Sequence, residues 1–293
     1  MTGPIVSQTR PPDAKSGGKF LGHLLAIEKI ESKKQIRPLR LKFPWKGANS
    51  MYRLFIGIVL GIVVTVSAHA SGPWPTTVKI AKAFVPVGFD DNDNVQIVVA
   101  GILPDTCYRL GPSKFEVDEG KSVVFVEQNA FVQKGPCLDV IIPYSFVYDL
   151  GVVKQGKYRI VDKTSSNELG TLTITRATSE KMDDFLYMPL TDARIHKTAG
   201  IEKPSVTLEG KLTNRCTKFD RAIVNYYPEK DPDVIVIQPI AKHDAGERCE
   251  TEFRHYQITI PLREGLSHAK LLHVRSMDGK AVNKVVDFDY LEK

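Results

Sequence analysis

Catalytic signatures are what this chain lacks. Its 293 residues contain no Gly-x-Ser-x-Gly elbow, no His-Glu-x-x-His, no Walker glycine loop and no Gly-x-Gly-x-x-Gly. The familiar routes to serine hydrolysis, zinc proteolysis and nucleotide binding are therefore without their landmarks. Cysteine is scarce too. There are four, Cys107, Cys137, Cys216 and Cys249, with no Cys-x-x-Cys and no histidine spaced near a pair, which removes the usual zinc site. The two tryptophans, Trp45 and Trp74, both precede the first cysteine, so the buried tryptophan of a strict immunoglobulin core has no candidate. From Trp74 onward no long stretch of helical period interrupts the chain. Basic charge is also missing where it would matter. Residues 1–50 hold ten Lys and Arg against three Asp and Glu, and Arg53 adds one more, which leaves 29 basic and 31 acidic residues from Ser71 onward. The formal charge of +6 belongs to the N-terminus, and a nucleic-acid partner has no compositional support in the folded part.

What is present begins with an export signal. Met51-Tyr52-Arg53 leads into the apolar run Leu54–Val66, and Ser67-Ala68-His69-Ala70 follows. A basic start, an apolar stretch of this length and an Ala-x-Ala end predict a signal peptide over 51–70, cut between Ala70 and Ser71. The competing reading is an inner-membrane signal anchor that leaves 71–293 outside the cytoplasm. The run is shorter than the ~20 apolar residues a span needs, which favours cleavage. Residues 1–50 form a basic extension upstream, whose simplest explanation is a misassigned start, with translation beginning at Met51. The alternative is a short basic amphipathic helix at Phe20–Ile27, lying at a membrane surface.

The remainder alternates as strands do. Predicted strands are Thr77–Phe84, Val95–Ile102, Ser122–Val132, Leu138–Leu150, Lys157–Val161 and Thr171–Thr175. After a segment expected to be a connector come Ser205–Lys211, Ala222–Tyr227, Val234–Ile240, Phe253–Leu262, Ala269–Arg275 and Val282–Phe288. The two sets share fixed spacings. Gly101 stands six residues before Cys107, and Gly210 six before Cys216. Leu150 and Leu262 each lie thirteen residues after the second cysteine of their set, and Val123–Glu127 matches Val234–Gln238. Ile142, Tyr144, Phe146, Tyr148 and Leu150 share one strand face, as do Tyr256, Ile258, Ile260 and Leu262. Such repetition predicts a duplication. Of the three pairings four cysteines allow, the repeat selects Cys107–Cys137 and Cys216–Cys249. Each bridge is expected to contribute roughly 3–4 kcal/mol by restricting the unfolded chain.

The run Leu103-Pro104-Asp105-Thr106-Cys107-Tyr108-Arg109-Leu110-Gly111, with Gly135-Pro136-Cys137 and Pro143-Tyr144, resembles a family of uncharacterised exported bacterial β-sandwich domains. The resemblance covers most of the first repeat. The second departs from it, with Thr217-Lys218-Phe219 in place of Tyr108-Arg109-Leu110. It implies fold and compartment, and no activity. The predicted class is all-β: two tandem Ig-like β-sandwich domains over 76–176 and 204–290, each with one internal disulfide. The linker, 177–203, is expected to hold a short helix from Thr178 or Ser179 to Leu186 and to pack its Phe185–Met188 cluster on one or both domains.

Candidate chemistry is thin. Asp90, Asn92 and Asn94 have the alternate spacing of calcium-loop oxygens, but Val95 and Gly101 stand where the loop needs glycine and a bidentate glutamate. A solvated turn is the preferred reading. His196, His243, His255, His268 and His273 are read as surface or cross-strand residues, and Arg109, Arg159, Arg215 and Arg221 as a solvated face that could otherwise meet an anion. No cofactor is expected. The functional expectation is a periplasmic or secreted, non-enzymatic module that binds an envelope protein or small ligand, touching membrane only through an uncleaved signal. The alternatives are a cell-envelope hydrolase with a site near Phe185–Met188, and an adhesin or chaperone that binds by strand addition.

Overall fold

The computed structural model describes residues 72–196, 203–244, 246 and 249–291. The basic extension, the signal segment and the Ala70–Ser71 junction lie outside the described residues. The first half contributes β1 (Trp74–Thr77), β2 (Ile80–Phe84), β3 (Phe89–Asp90), β4 (Val95–Leu103), β5 (Tyr108–Leu110) and β6 (Lys114–Asp118). It continues with β7 (Val123–Glu127), β8 (Asn129–Val132), β9 (Ile142–Gly151), β10 (Gly156–Asp162) and β11 (Glu168–Thr175). The second half has β12 (Leu190–His196), β13 (Ser205–Asn214), β14 (Thr217–Tyr227) and β15 (Val234–His243), then β16 (Thr251–Pro261), β17 (Ala269–Ser276) and β18 (Lys280–Asp287). The protein is all-β, and the strands build β-sandwich layers.

The two halves pair their strands alike. Sheet β3-β11-β10-β7-β6 faces sheet β2-β4-β9 in the first, and β14-β15-β17-β18 faces β12-β13-β16 in the second. In both, the larger sheet has a corresponding parallel pairing, β7 with β10 and β15 with β17, and the first half adds a second, β3 with β11. A small sheet, β1-β8-β5, belongs to the first half alone among the described residues. Each half packs its own apolar core, around Ile97, Val124, Tyr148, Ile160 and Leu172 in one and Val206, Leu208, Ile235, Ile260 and Val274 in the other.

The fixed cysteine spacings have a steric cause. Gly101 pairs across the ladder with Tyr144, and Gly210 with Tyr256. Each tyrosine ring lies over its glycine, so a Cβ on either glycine would meet the tyrosine hydroxyl at 2.5 Å. The hydroxyls then donate to a carbonyl just before an edge strand, Tyr144 to Lys79 at 2.9 Å and Tyr256 to Pro189 at 2.8 Å. Burial pushes the Tyr144 phenol up to about 12 and raises that of Tyr256, because the apolar surroundings disfavour the phenolate. The disulfides form as the repeat requires, Cys107–Cys137 and Cys216–Cys249, with Cα atoms 5.4 and 5.3 Å apart. Staple, glycine and tyrosine thus fix one register twice.

Several sequence expectations need correction. The connector is not strand-free: Leu190–His196 forms β12 and pairs with β13. Its composition, Leu-Thr-Asp-Ala-Arg-Ile-His, is that of a half-exposed edge strand, too polar to stand out by alternation. No helix forms from 178 to 186; Asn92 and Asp91 bind this backbone directly, at Ser179 O (2.8 Å) and Ala177 N (2.7 Å), and extended chain suits those contacts. The long predicted strand Ser122–Val132 breaks at the fully buried Gln128 into β7 and β8. Leu138–Ile141 precedes β9 as exposed loop.

The halves also share a core. Phe84 and Val98 of the first pack against Val234, Val236 and Leu271 of the second. That is why Val95–Val99 and Leu271–Val274 are apolar except at the buried Gln96 and His273: both of their faces are covered.

Candidate functional site

The chemistry-bearing residues gather where the first half's acidic turn meets the β17–β18 hairpin. The turn is built by its own side chains. Asp90 N donates to Asp93 Oδ2 at 3.0 Å and Asn92 N to Asp90 Oδ1 at 3.2 Å, the local side-chain bonding that suits Asp and Asn to turns. Asp93 then receives both Nη1 contacts of Arg275 at 3.2 Å, and the two side chains are each 6% exposed. Arg275 also donates to Gly88 O and stacks over Phe89, 5.1 Å from the ring centroid. Burial pushes the Asp93 carboxyl above its usual range despite the adjacent guanidinium, since desolvation disfavours the charged form.

His273 lies beside this pair. Its Nδ1 is 2.7 Å from Asn283 Oδ1, Asn283 Nδ2 donates to Gln96 Oε1 at 2.7 Å, and the ring meets Phe89 edge-on at 5.6 Å. Burial, the largest cause, and the nearby Arg275 charge pull the imidazole down to about 4. A neutral, enclosed ring of this kind positions its neighbours. It is out of reach of a substrate in solvent.

The calcium candidates are placed differently from a solvated turn and from a ligand set. Asp90 is 8% exposed. Asn92 and Asn94 turn their amide nitrogens to carbonyls, of Ser179 at 2.8 Å and Gly279 at 3.2 Å. Asn94 thus ties the turn to the second half and Asn92 ties it to the connector, while Asp90 is spent inside the turn itself. Among the described residues, the groups that gather three ligand-type atoms are Cys216, His243, Cys249 and Asp105, Cys107, Cys137. In both the sulfurs are bridged, and a thiolate is what a metal needs.

The remaining candidates are dispersed. His243 Nδ1 is 3.5 Å from Thr217 Oγ1 and its Nε2 is 3.5 Å from the bridged Cys249 sulfur. His255 is exposed on β16, and His268 pairs with Asp289 at 2.7 Å on the surface. Arg109 binds its own loop carbonyls, while Arg159, Arg215 and Arg221 face Glu168, Glu252 and Asp220. The Phe185–Met188 cluster divides: Tyr187 and Met188 are buried, whereas Phe185 and Leu186 remain 38% and 41% exposed. No nucleophile stands beside a base there. The sequence reading missed the Arg275–Asp93–His273 assembly, although the two apolar runs that are buried on both faces were its signal.

The other unspent feature is backbone. β16 ends its sheet and pairs only with β13 among the described residues. Leu262 N donates to Pro204 O at 2.8 Å and the register runs unbroken from Ser205–Pro261 to Leu212–Arg254. In an antiparallel ladder that parity turns the amide and carbonyl groups of His255, Gln257 and Thr259 away from β13, and the register shifts between Arg254 and Thr251. Phe253 is 76% exposed. Phe219 of β14, opposite, packs with Tyr256 and Ile258 at this flank while all three stay half-buried.

Residues 97–169, from β4 to the start of β11, match the ORF11 beta-sandwich domain family. The match spans the first disulfide and about a quarter of the chain. No curated protein and no solved structure matches. Two formed disulfides fit an oxidising, extracytoplasmic environment. No helix among the described residues is long and apolar enough to cross a membrane.

Proposed function

We propose that this is an exported, non-enzymatic interaction module of two duplicated β-sandwich domains, which captures an extended segment of a cell-envelope protein along β16. The open β16 edge carries this reading. Eleven residues long, it has one proline, Pro261, and one register shift, between Arg254 and Thr251, both towards its ends, and its outward-facing backbone positions between them are His255, Gln257 and Thr259. Proteins that leave an edge unused ordinarily blunt it with proline, lysine or a bulge. Strand addition supplies main-chain hydrogen bonds, and alternate side-chain positions supply the choice of partner.

The test is Gln257→Pro, which removes one outward N–H and obstructs the edge. With the mature protein immobilised against envelope extract, a partner captured by the wild type and lost with this variant, at unchanged melting temperature, supports the proposal. Equal capture by both proteins overturns the edge as the binding surface. Reproducible turnover by the purified protein, abolished by a point mutation, overturns the non-enzymatic reading.

A further inference from the structure

A second surface lies far from β16 in character. Lys181–Leu186 and the Met277–Asp278 turn enclose an open groove of about 620 Å³. Its floor is held rigidly. Asp183 accepts the backbone N–H groups of Asp278 and Gly279 at 2.8 and 3.1 Å, and Met182 rests against Gly279. Behind it, Met188 N donates to Pro239 O at 2.8 Å and Ala241 N to Leu186 O at 2.7 Å. A segment tied down at so many points has no freedom to turn its apolar side chains inward. Met182, Phe185 and Leu186 nonetheless stay 38–41% exposed.

Two features select an occupant. Three methionines follow Ser71, Met182, Met188 and Met277, and two of them line this groove. Methionine is the flexible, polarisable lining of surfaces that take apolar anchors of varied shape. The rim is acidic: Asp184 and Asp278 are exposed carboxylates that make no ion pair among the described residues, and Lys181 is the one cation lining the groove with them. An anionic lipid surface or a nucleic acid would be repelled by that rim. We propose that the groove binds a cationic amphipathic polypeptide segment, its aliphatic or aromatic anchors on Phe185, Leu186 and the methionines and its lysines or arginines beside Asp184 and Asp278. Opposite charge at the rim sets which segment enters, while the apolar floor supplies the buried contact.

The experiment titrates the disulfide-intact protein with a Lys/Leu amphipathic peptide, a Glu/Leu peptide of the same pattern, and zwitterionic vesicles. It repeats the series with the double variant Asp184→Lys, Asp278→Lys, whose replaced side chains are exposed, and with Phe185→Ser. The expected result is saturable binding of the Lys/Leu peptide, about tenfold or more tighter than Glu/Leu, with the preference inverted in the double variant and both affinities reduced by Phe185→Ser. Equal affinity for the two peptides, retention of the preference in the double variant, or binding to vesicles alone overturns the proposal. Because Gln257→Pro leaves this groove untouched, the result is independent of the β16 reading.

Discussion

The two halves use one scaffold and edge it with strands of different length and composition. In the first half the edge strand β6 is five residues long, and Phe115 on it meets Tyr148 edge-on at 6.4 Å. Its opposite edge, β9, carries Pro143 and Asp149, and Asp149 accepts from Asn94 and Gln96 at 3.3 Å. In the second half β14 and β16 are eleven residues each, and Phe219, Tyr256 and Ile258 stay half-buried at the equivalent flank. An edge that is short, interrupted by proline and charged rejects another strand; β16 keeps a regular register from Arg254 to Pro261. On the proposed function the longer edge of the second half is the one that binds, and the halves differ in a few edge residues rather than in the core.

How far the halves depend on each other is the largest question this comparison raises, and Asp93→Ala is the sharpest way to break it. The substitution leaves Arg275 buried without its counter-charge, so a loss of about 3–5 kcal/mol is expected. Calorimetry should show the second half melting ahead of the first. A single unshifted transition would mean that the pair contributes nothing to the joint.

The glycine–tyrosine lock comes next. The atoms nearest a Cβ on Gly101 all belong to the Tyr144 side chain. One on Gly210 also strikes the Pro189 carbonyl oxygen, which is backbone. Gly210→Ala should cost about 3 kcal/mol and Gly101→Ala about 1–2 kcal/mol, read from denaturant midpoints. The reverse order would show that the Pro189 carbonyl does not decide the cost at Gly210.

The change per pH unit set by His273 is smaller; the ring faces Arg275 and Asn283, with Asp93 beyond the guanidinium. The unfolded chain takes up a proton near the usual 6.5, whereas the folded imidazole resists until about 4. Stability contributed by the neutral ring is complete above 6.5 and falls as pH drops from 6.5 towards 4, by at most about 1.4 kcal/mol per unit. Lower still, the raised Asp93 carboxyl binds its proton more readily when folded, which works against further loss in the window just above 3.8. His273→Gln should flatten the stability profile between pH 6.5 and 4; an unaltered profile would remove His273 as its source.

Much of the fold was legible because strand alternation and cysteine spacing are local. Tyr144–Leu150 and Tyr256–Leu262 point inward as their period indicates, and the repeat selects the disulfides that form. Less of the candidate site was legible. β12 escaped because edge strands need not alternate cleanly, and the acidic turn read as solvated because its burial depends on Arg275, 182 residues away in sequence. His273 looked like an ordinary strand histidine, since nothing adjacent shows that Phe89 covers it.

By itself the sequence determined an all-β chain, its repeated register and its two staples, because each follows from period, spacing and the size of a side chain against a glycine. Only the tertiary structure decided which faces of β4 and β17 are both covered, which edge is left open, and where Phe185 and Leu186 stay in water. Those outcomes depend on how one half lies against the other, and contacts between residues far apart in the chain leave no local pattern to read.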